Sequence, residues 1–351
     1  MAGQATRGRG AIRYTRGRFE QRAVIPALPP DDVRPQTRLA PMPAKGIISH
    51  NRSPDVPFDR SINPYLGCEH GCVYCYARPS HSYLDLSPGL DFETRIFYKP
   101  NAVELLRKEW SKPGYTCKPI TIGANTDPYQ PAERKLGITR ALLEAFLEHE
   151  HPVSLITKGS LILRDADLLR QLADRNLCSV AVSVPTADDA LKRILEPRVP
   201  SAASRFRAIA ELRALGVPVG LLMAPIIPAV NDREIELILE RAAEAGALDA
   251  AWILLRLPHE LKEIFRDWLA EHMPDRAEHV MSLLRQASGS RDYDNRFNIR
   301  QTGRGPYAEM LGQRFRVACR RFGLGSDDDD TPLDCSRFRP PSGRQLTLAL
   351  G

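Results

Sequence analysis

The sequence contains no apolar run approaching the roughly 18 residues a membrane-crossing helix needs. Its first residues also lack the basic, apolar and small-residue succession of a secretory leader. These absences predict a soluble chain working in the cytoplasm, without membrane partners. Cysteine is scarce as well: there are seven in 351 residues, an odd number, and three of them fall within positions 68–75. That usage argues against a secreted disulfide framework and for a reducing compartment. No glycine-rich phosphate loop opens a helix after the first strand-like run, which lowers a dinucleotide-binding reading.

An excess of either charge is missing from most of the chain. The net charge of +6 resides in residues 1–50, with nine Lys and Arg against three Asp and Glu, and the other 301 residues balance. This segment is rich in Arg, Gly and Pro and lacks hydrophobic periodicity, so it buries too little apolar area to offset its ordering entropy. It is expected to be a flexible basic arm of the kind that binds polyanions by counterion release. At the other end, the acidic run in GLGSDDDDTPLD reads as a solvated loop, and residues 324–351 as a flexible tail.

What is plentiful is alternation. Near-continuous apolar, β-branched runs lie at 119–127, 153–159, 179–186, 217–228 and 250–258, as expected for strands buried on both faces. Helical stretches at 135–150, 164–175, 201–216 and 231–246 separate them; two end at Gly216 and Gly246, and the last starts at an Asn-Asp cap. With a strand leading into Gly67 and a helix near 101–110, six β-α units result. They predict an α/β fold, a partial (βα)6 TIM-type barrel over residues 51–260; a doubly wound sheet is the alternative. A helical extension at 261–323 is expected to close the open side or the base.

Within this frame, NPYLGCEHGCVYCYARPSH (63–81) carries Cys68, Cys72 and Cys75. No second CxxC and no HxxxH exists to complete a closed zinc site, although His70 or His81 could supply a fourth ligand. A disulfide would strand the third thiol. Three thiolates on one loop also suit a [4Fe–4S] cluster with one iron open, and the loop follows the first strand, at the mouth where barrel enzymes build their sites.

CEHGCVYC resembles the radical S-adenosylmethionine signature, C-x3-C-x-aromatic-C. The surrounding SINPYLGCEHGCVYCYARPSH, GANTDPYQP and TKGS further resemble the spore photoproduct lyase-like branch, the DNA repair photolyase type. The resemblance implies that Cys68, Cys72 and Cys75 hold a [4Fe–4S] cluster. S-adenosylmethionine on that cluster is cleaved to a 5′-deoxyadenosyl radical, and an electron donor such as flavodoxin or ferredoxin drives the step. It places Tyr74 against the adenine. Asn125, Thr126 and Asp127 fall to the cofactor's amino acid end, where the superfamily's Gly-Gly-Glu is replaced by GANTD. Lys158 pairs with the cofactor carboxylate and Ser183 serves the ribose or carboxylate. Arg198 or Arg205 contacts the cofactor carboxylate or a substrate phosphate.

The lyase uses a cysteine near its substrate as hydrogen donor. Here Cys117 and Cys178 precede their strands, and Cys319 and Cys335 lie in the last helix and the tail, so that donor is missing and the exact lyase reaction is in doubt. Tyr76 or Tyr129 could substitute. QLTLAL, Gln345 to Leu350, is similar to peptides that dock on the DNA sliding clamp. Together these features favour a DNA-directed radical enzyme. The alternatives are radical modification of RNA or a protein, or a non-catalytic, metal- or cluster-bearing module that binds DNA and the clamp.

Overall fold

The apolar runs of the central chain do become neighbouring parallel strands. In the structure, a computed structural model that describes residues 9–20, 36–325 and 332–341, ten strands form two sheets. The strands are β1 (Arg38–Pro41), β2 (Ile48–His50), β3 (Arg60–Ile62), β4 (Tyr65–Leu66), β5 (Arg95–Tyr98), β6 (Ile120–Ile122), β7 (Val153–Thr157), β8 (Cys178–Ser183), β9 (Val219–Ile226) and β10 (Ala250–Leu254). The large sheet runs β10-β9-β8-β7-β6-β3-β2, parallel throughout except for the antiparallel β2–β3 pair. Six parallel strands in chain order, curling without joining β10 to β2, make the partial barrel the sequence predicts. A small sheet, β1-β5-β4, joins the N-terminal strand β1 to β4 and β5 of the long excursion between β3 and β6.

Helices α1 (Leu90–Thr94), α2 (Ala102–Trp110), α3 (Glu133–Leu136), α4 (Ile138–Glu148), α5 (Ala166–Ala173), α6 (Asp189–Leu195), α7 (Ala202–Ala214) and α8 (Ile235–Glu244) return the chain between strands. Both glycine stops hold: Gly216 and Gly246 take φ of 80° and 85°. The following amides of Val217 and Ala247 reach back to Leu212 and Ala242 carbonyls, closing each helix in a Schellman turn. Asn231 departs from the sequence reading. Instead of capping a helix, its side chain accepts from the Ile227 amide (2.6 Å) and donates to the Pro185 and Pro225 carbonyls, stitching the ends of β8 and β9 together.

The strands are not uniformly buried on two faces as expected. Val153, Leu155, Val180, Val182, Val219, Leu221 and Met223 pack under Leu143, Phe146, Leu169, Leu172, Ile209 and Ile238 of the helices. The alternate residues Ile156, Leu222 and Ala224 face a hollow interior and stay partly accessible. The barrel is a vessel rather than a filled core, which restores a period of two.

Helices α9 (Leu261–His272), α10 (Ala277–Ala287) and α11 (Pro306–Phe322) form the extension. Phe265, Trp268 and Leu269 pack behind the cysteine loop with Val73, Tyr74 and Leu195, while Arg314 of α11 pairs with Glu236 of α8 (2.7 Å). The open side is bridged by two loops: Arg300 binds Asp55 (2.5 Å) and the Leu254 amide binds the Gln301 carbonyl (2.6 Å).

The expected flexible arm over residues 1–50 is corrected for its described parts. Residues 9–20 pack on the cysteine loop, β1 and β2 belong to the sheets, and the physical reason is a buried carboxylate, Glu93, described below. The remainder of the arm, the acidic run at 327–330 and the Gln345–Leu350 peptide lie outside the described residues.

Candidate active site

The C-terminal ends of β6 to β10 and the cysteine loop enclose a cavity of about 1100 Å³, part of it open to solvent. Cys68, Cys72 and Cys75 all line it, with Tyr74, Asn125, Thr126, Asp127, Lys158 and Ser183. The loop is built to hold a fixed shape. Gly67 and Gly71 take φ of 80° and 68°, turns that side chains resist. Arg78, fully buried, donates to the Cys72 carbonyl (2.9 Å), the Gly71 carbonyl (3.1 Å) and the Glu93 carboxylate (2.5 Å). The Glu69 amide donates to Gln130, and the Glu69 carboxylate accepts from Thr37 (2.5 Å) and Arg198 (2.9 Å).

The three thiols are free, and burial pushes each of their pKa values above the ordinary thiol range. Among the described residues no three His, Cys, Asp or Glu side chains converge as they would around a single ion. Both candidate zinc-completing histidines are engaged elsewhere. His70 Nδ1 lies 3.3 Å from Asp127 Oδ2, and His81 Nε2 lies 3.0 Å from the Arg95 carbonyl, its ring against Phe92. Three thiols on one cavity wall, without a fourth protein ligand, fit a polynuclear iron–sulfur cluster better than zinc.

The residues expected at the cofactor divide into two groups. Asp127 lines the cavity, yet protein donors occupy both of its oxygens: Tyr129 N–H (2.8 Å), Thr157 Oγ1 (2.7 Å) and Lys158 N–H (2.7 Å), with His70 Nδ1 3.3 Å away. Burial opposes its charge, but His70 and these hydrogen bonds win and hold its pKa below the usual carboxylate value. Thr126 spends its hydroxyl on the Tyr65 carbonyl (2.8 Å). Arg198 is absent from the cavity wall and instead braces Glu69, because its backbone follows the His70 carbonyl at 3.2 Å.

Lys158, Ser183 and Tyr74 belong to a charge network that the sequence did not disclose. Its centre is Glu196, fully buried, which accepts from the Tyr74 hydroxyl and from Arg205 (2.8 Å), with Lys158 Nζ at 3.7 Å. Lys158 donates to Ser183 and to the Ala224 carbonyl (3.1 Å) and stands 5.6 Å from the Tyr74 ring centroid. Burial would raise the Glu196 pKa, but Arg205, Lys158 and Tyr74 together lower it. Arg205 is thus internal, binding Glu196 and the Ser183 carbonyl (2.8 Å). Glu196 and Arg78 left no trace in the sequence beyond their proximity to prolines and cysteines.

Outside the mouth runs an open groove lined, among the described residues, by Arg18, Arg256, Lys262 and Arg291 and by Tyr76, Tyr83 and Tyr293, with Arg18 paired to Glu260 (3.0 Å) just beyond it. Tyr76, Asn125 and Arg256 belong to both groove and cavity, and the Arg256 guanidinium lies 5.0 Å from the Tyr76 ring centroid.

A β/α-barrel with a C-x3-C-x2-C loop at its mouth defines a class of enzymes that use an iron–sulfur cluster on a bound cofactor. The chain belongs to the Radical SAM superfamily, whose profile matches residues 62–242. It is therefore an enzyme of the radical S-adenosylmethionine class, whose members work with that cofactor and an iron–sulfur cluster. An uncharacterised protein of Mycobacterium tuberculosis is 32% identical over 284 residues, 79% of this chain and 78% of that one. One from Methanocaldococcus jannaschii is 28% identical over 191 residues, 54% of this chain and 68% of its own. Among solved structures, spore photoproduct lyase matches with a TM-score of 0.58 and 16% identity over 82% of this chain and 80% of its own, a likeness of fold.

Proposed function

We propose that this enzyme abstracts hydrogen from a nucleic-acid strand, with DNA as the favoured substrate and processing of altered bases as its task. The observation that carries the reading is the junction of two spaces: a thiol-lined cavity opens directly into a cationic groove with exposed tyrosines. Cations neutralise phosphates and aromatic faces stack on bases without demanding a sequence. A solved complex of spore photoproduct lyase holds S-adenosylmethionine and a dinucleoside spore photoproduct, which supports the same division of labour.

In this reading Cys68, Cys72 and Cys75 hold a [4Fe–4S] cluster. When bound, that cluster supplies an electron that splits S-adenosylmethionine into methionine and a 5′-deoxyadenosyl radical. The chain's own residues position and shield. Lys158, fixed by Glu196 and by Ser183, whose hydroxyl also donates to the Ala224 carbonyl (3.3 Å), offers a cation to the cofactor carboxylate, and Asn125 offers a polar group beside it. Tyr74, clamped through its hydroxyl, presents its ring to the cavity for the adenine. Asp127 and Thr126 shape the wall rather than bind, since their polar atoms are already partnered. Arg198 braces the cluster loop.

Neither Cys117, Cys178, Cys319 nor Cys335 lines the cavity, and Tyr129 is buried away from it. A thiol donor of the lyase type therefore has no counterpart among these residues, and Tyr76, which lines the cavity, is the proposed donor of the hydrogen atom that closes the substrate radical. A one-electron donor such as flavodoxin or ferredoxin is required, in a reducing cytoplasm. A sliding clamp is the proposed partner of Gln345–Leu350.

The test is anaerobic cluster reconstitution, reduction, and assay for 5′-deoxyadenosine, with and without single-stranded DNA. Product that rises with DNA supports the reading, and its loss in Cys72→Ala secures the ligand role. Product stimulated by RNA or a protein but not by DNA would transfer the substrate to the second class. Deleting Gln345–Gly351 is expected to abolish clamp binding and leave 5′-deoxyadenosine formation intact.

A further inference from the structure

The base of the barrel, opposite the mouth, is crossed by residues 332–341. This segment is anchored at both ends. The Asp334 amide donates to the Asn176 carbonyl (2.9 Å), and Asn176 Nδ2 donates to the Pro332 carbonyl (3.0 Å). Further on, the Arg339 amide donates to the His149 carbonyl (2.9 Å), and Glu150 receives Arg337 (3.2 Å) and Arg339 (3.1 Å). Phe338 enters an aromatic cage, its ring centroid 5.0 Å from that of His151 and 5.5 Å from that of Tyr115.

Between these anchors Cys335 comes beside Cys117, near enough for its thiol to act on the ionisation of Cys117, and the Phe338 amide turns back to the Cys335 carbonyl (3.4 Å) as its ring packs against Tyr115. Both residues are half-buried and free, and neither lines the cavity or the groove. Cys117 stands just ahead of β6, on the strand-entry side of the barrel, so the cluster chemistry does not use it.

We propose that Cys117 and Cys335 form a reversible oxidative modification site, a dithiol that closes to a disulfide and fastens the C-terminal segment across the barrel base. Neighbouring thiols on backbones pinned on either side are placed to close a sulfur–sulfur bond of about 2.05 Å. The oxidant is a low-molecular-weight disulfide. The Cys335 thiolate attacks one of its sulfurs and releases one thiol, leaving a mixed disulfide. The Cys117 thiolate then attacks the Cys335 sulfur and releases the second thiol. The two protein thiols lose two protons and two electrons, and the reagent gains both. Burial and the neighbouring thiol push Cys117 up to about 12, so it enters second. The closed pair fixes the point from which the residues after 341 depart.

The experiment uses the full chain, reconstituted anaerobically and incubated with glutathione disulfide. Free thiols are then alkylated, and the protein is digested without reductant for peptide mapping. A Cys117–Cys335 linked peptide is expected at least tenfold above any other pair involving either residue. It should be absent in Cys335→Ser and lost on adding dithiothreitol. Stable glutathione adducts on either cysteine without the link overturn the proposal. So do unreacted thiols at both positions, or links of Cys335 to other cysteines in comparable yield.

Discussion

At the residue scale, the cavity rests on charges buried beneath it. Glu196 and Arg205 are both inaccessible to solvent and depend on each other, because either alone would be a bare ion in a poor dielectric. Removing one partner of such a pair costs about 3–5 kcal/mol. Glu196→Ala is therefore expected to lower stability by that order, read as the urea midpoint of the anaerobic holoenzyme. It should also free the Tyr74 hydroxyl and Lys158, weakening cofactor binding in equilibrium dialysis. An unchanged midpoint would show that Arg205 finds another partner. The cysteines carry a second consequence. Their thiols are held protonated by burial, whereas cluster ligands are thiolates, so cluster assembly must release protons. Reconstitution is expected to run faster as pH rises from 7 to 9 and to acidify a weakly buffered solution.

At the scale of elements, the N-terminal segment over residues 9–20 is a latch. Glu93 accepts the backbone amides of Arg9 (2.8 Å), Gly10 (3.0 Å) and Ala11 (2.8 Å), and Arg78 from the other side. The crossing is so close that a Cβ on Gly10 would stand 1.9 Å from the Gly71 carbonyl oxygen, between two cluster ligands. Gly10→Ala must push the two chains apart, at the ~1–3 kcal/mol that overpacking costs. The expected result is a several-fold shorter lifetime of the cluster in air, followed by its visible absorbance, with the barrel's helical signal unchanged.

None of this was legible in the sequence, and the reason is physical. The barrel strands and helices announce themselves by periodicity over many residues, so all six β-α units could be read off the chain. The latch depends on one acidic side chain that satisfies three amides far away in sequence, and no local pattern records that. Likewise β1, β4 and β5 span two to four residues, too few for a period to show. The cysteines were legible because spacing encodes their chemistry. Glu196 was not, because burial makes it important and burial is a property of the fold. Asp127 falls to the cofactor by the resemblance of GANTD to the lyase-like motif, but the neighbouring backbone amides of Tyr129 and Lys158 consume its carboxylate.

For the whole molecule, two inaccessible histidines set the acid limit. His151 is stacked on Trp110 and hydrogen-bonded to Tyr115 (2.8 Å) and the Pro152 carbonyl (2.9 Å); His81 lies against Phe92. Burial lowers both to about 4. Since the folded values lie below the ordinary 6.5, the unfolded chain takes up protons first as pH falls. The stabilising effect is complete above about pH 6.5 and is lost as pH drops toward 4, by up to about 1.4 kcal/mol per pH unit for each histidine. Denaturation midpoints measured across that interval should fall accordingly, and His151→Phe should remove about half of the fall. A pH-independent midpoint between 4 and 6.5 would contradict this account.

The latch also orders events in time. Its partners are separated by 82 to 84 residues, so during synthesis Arg9, Gly10 and Ala11 leave the ribosome long before Glu93 exists to receive them. The first residues made are among the last that can settle. Until they do, Gly71 and the loop that carries Cys68 and Cys72 lack the cover that Arg9 and Gly10 provide.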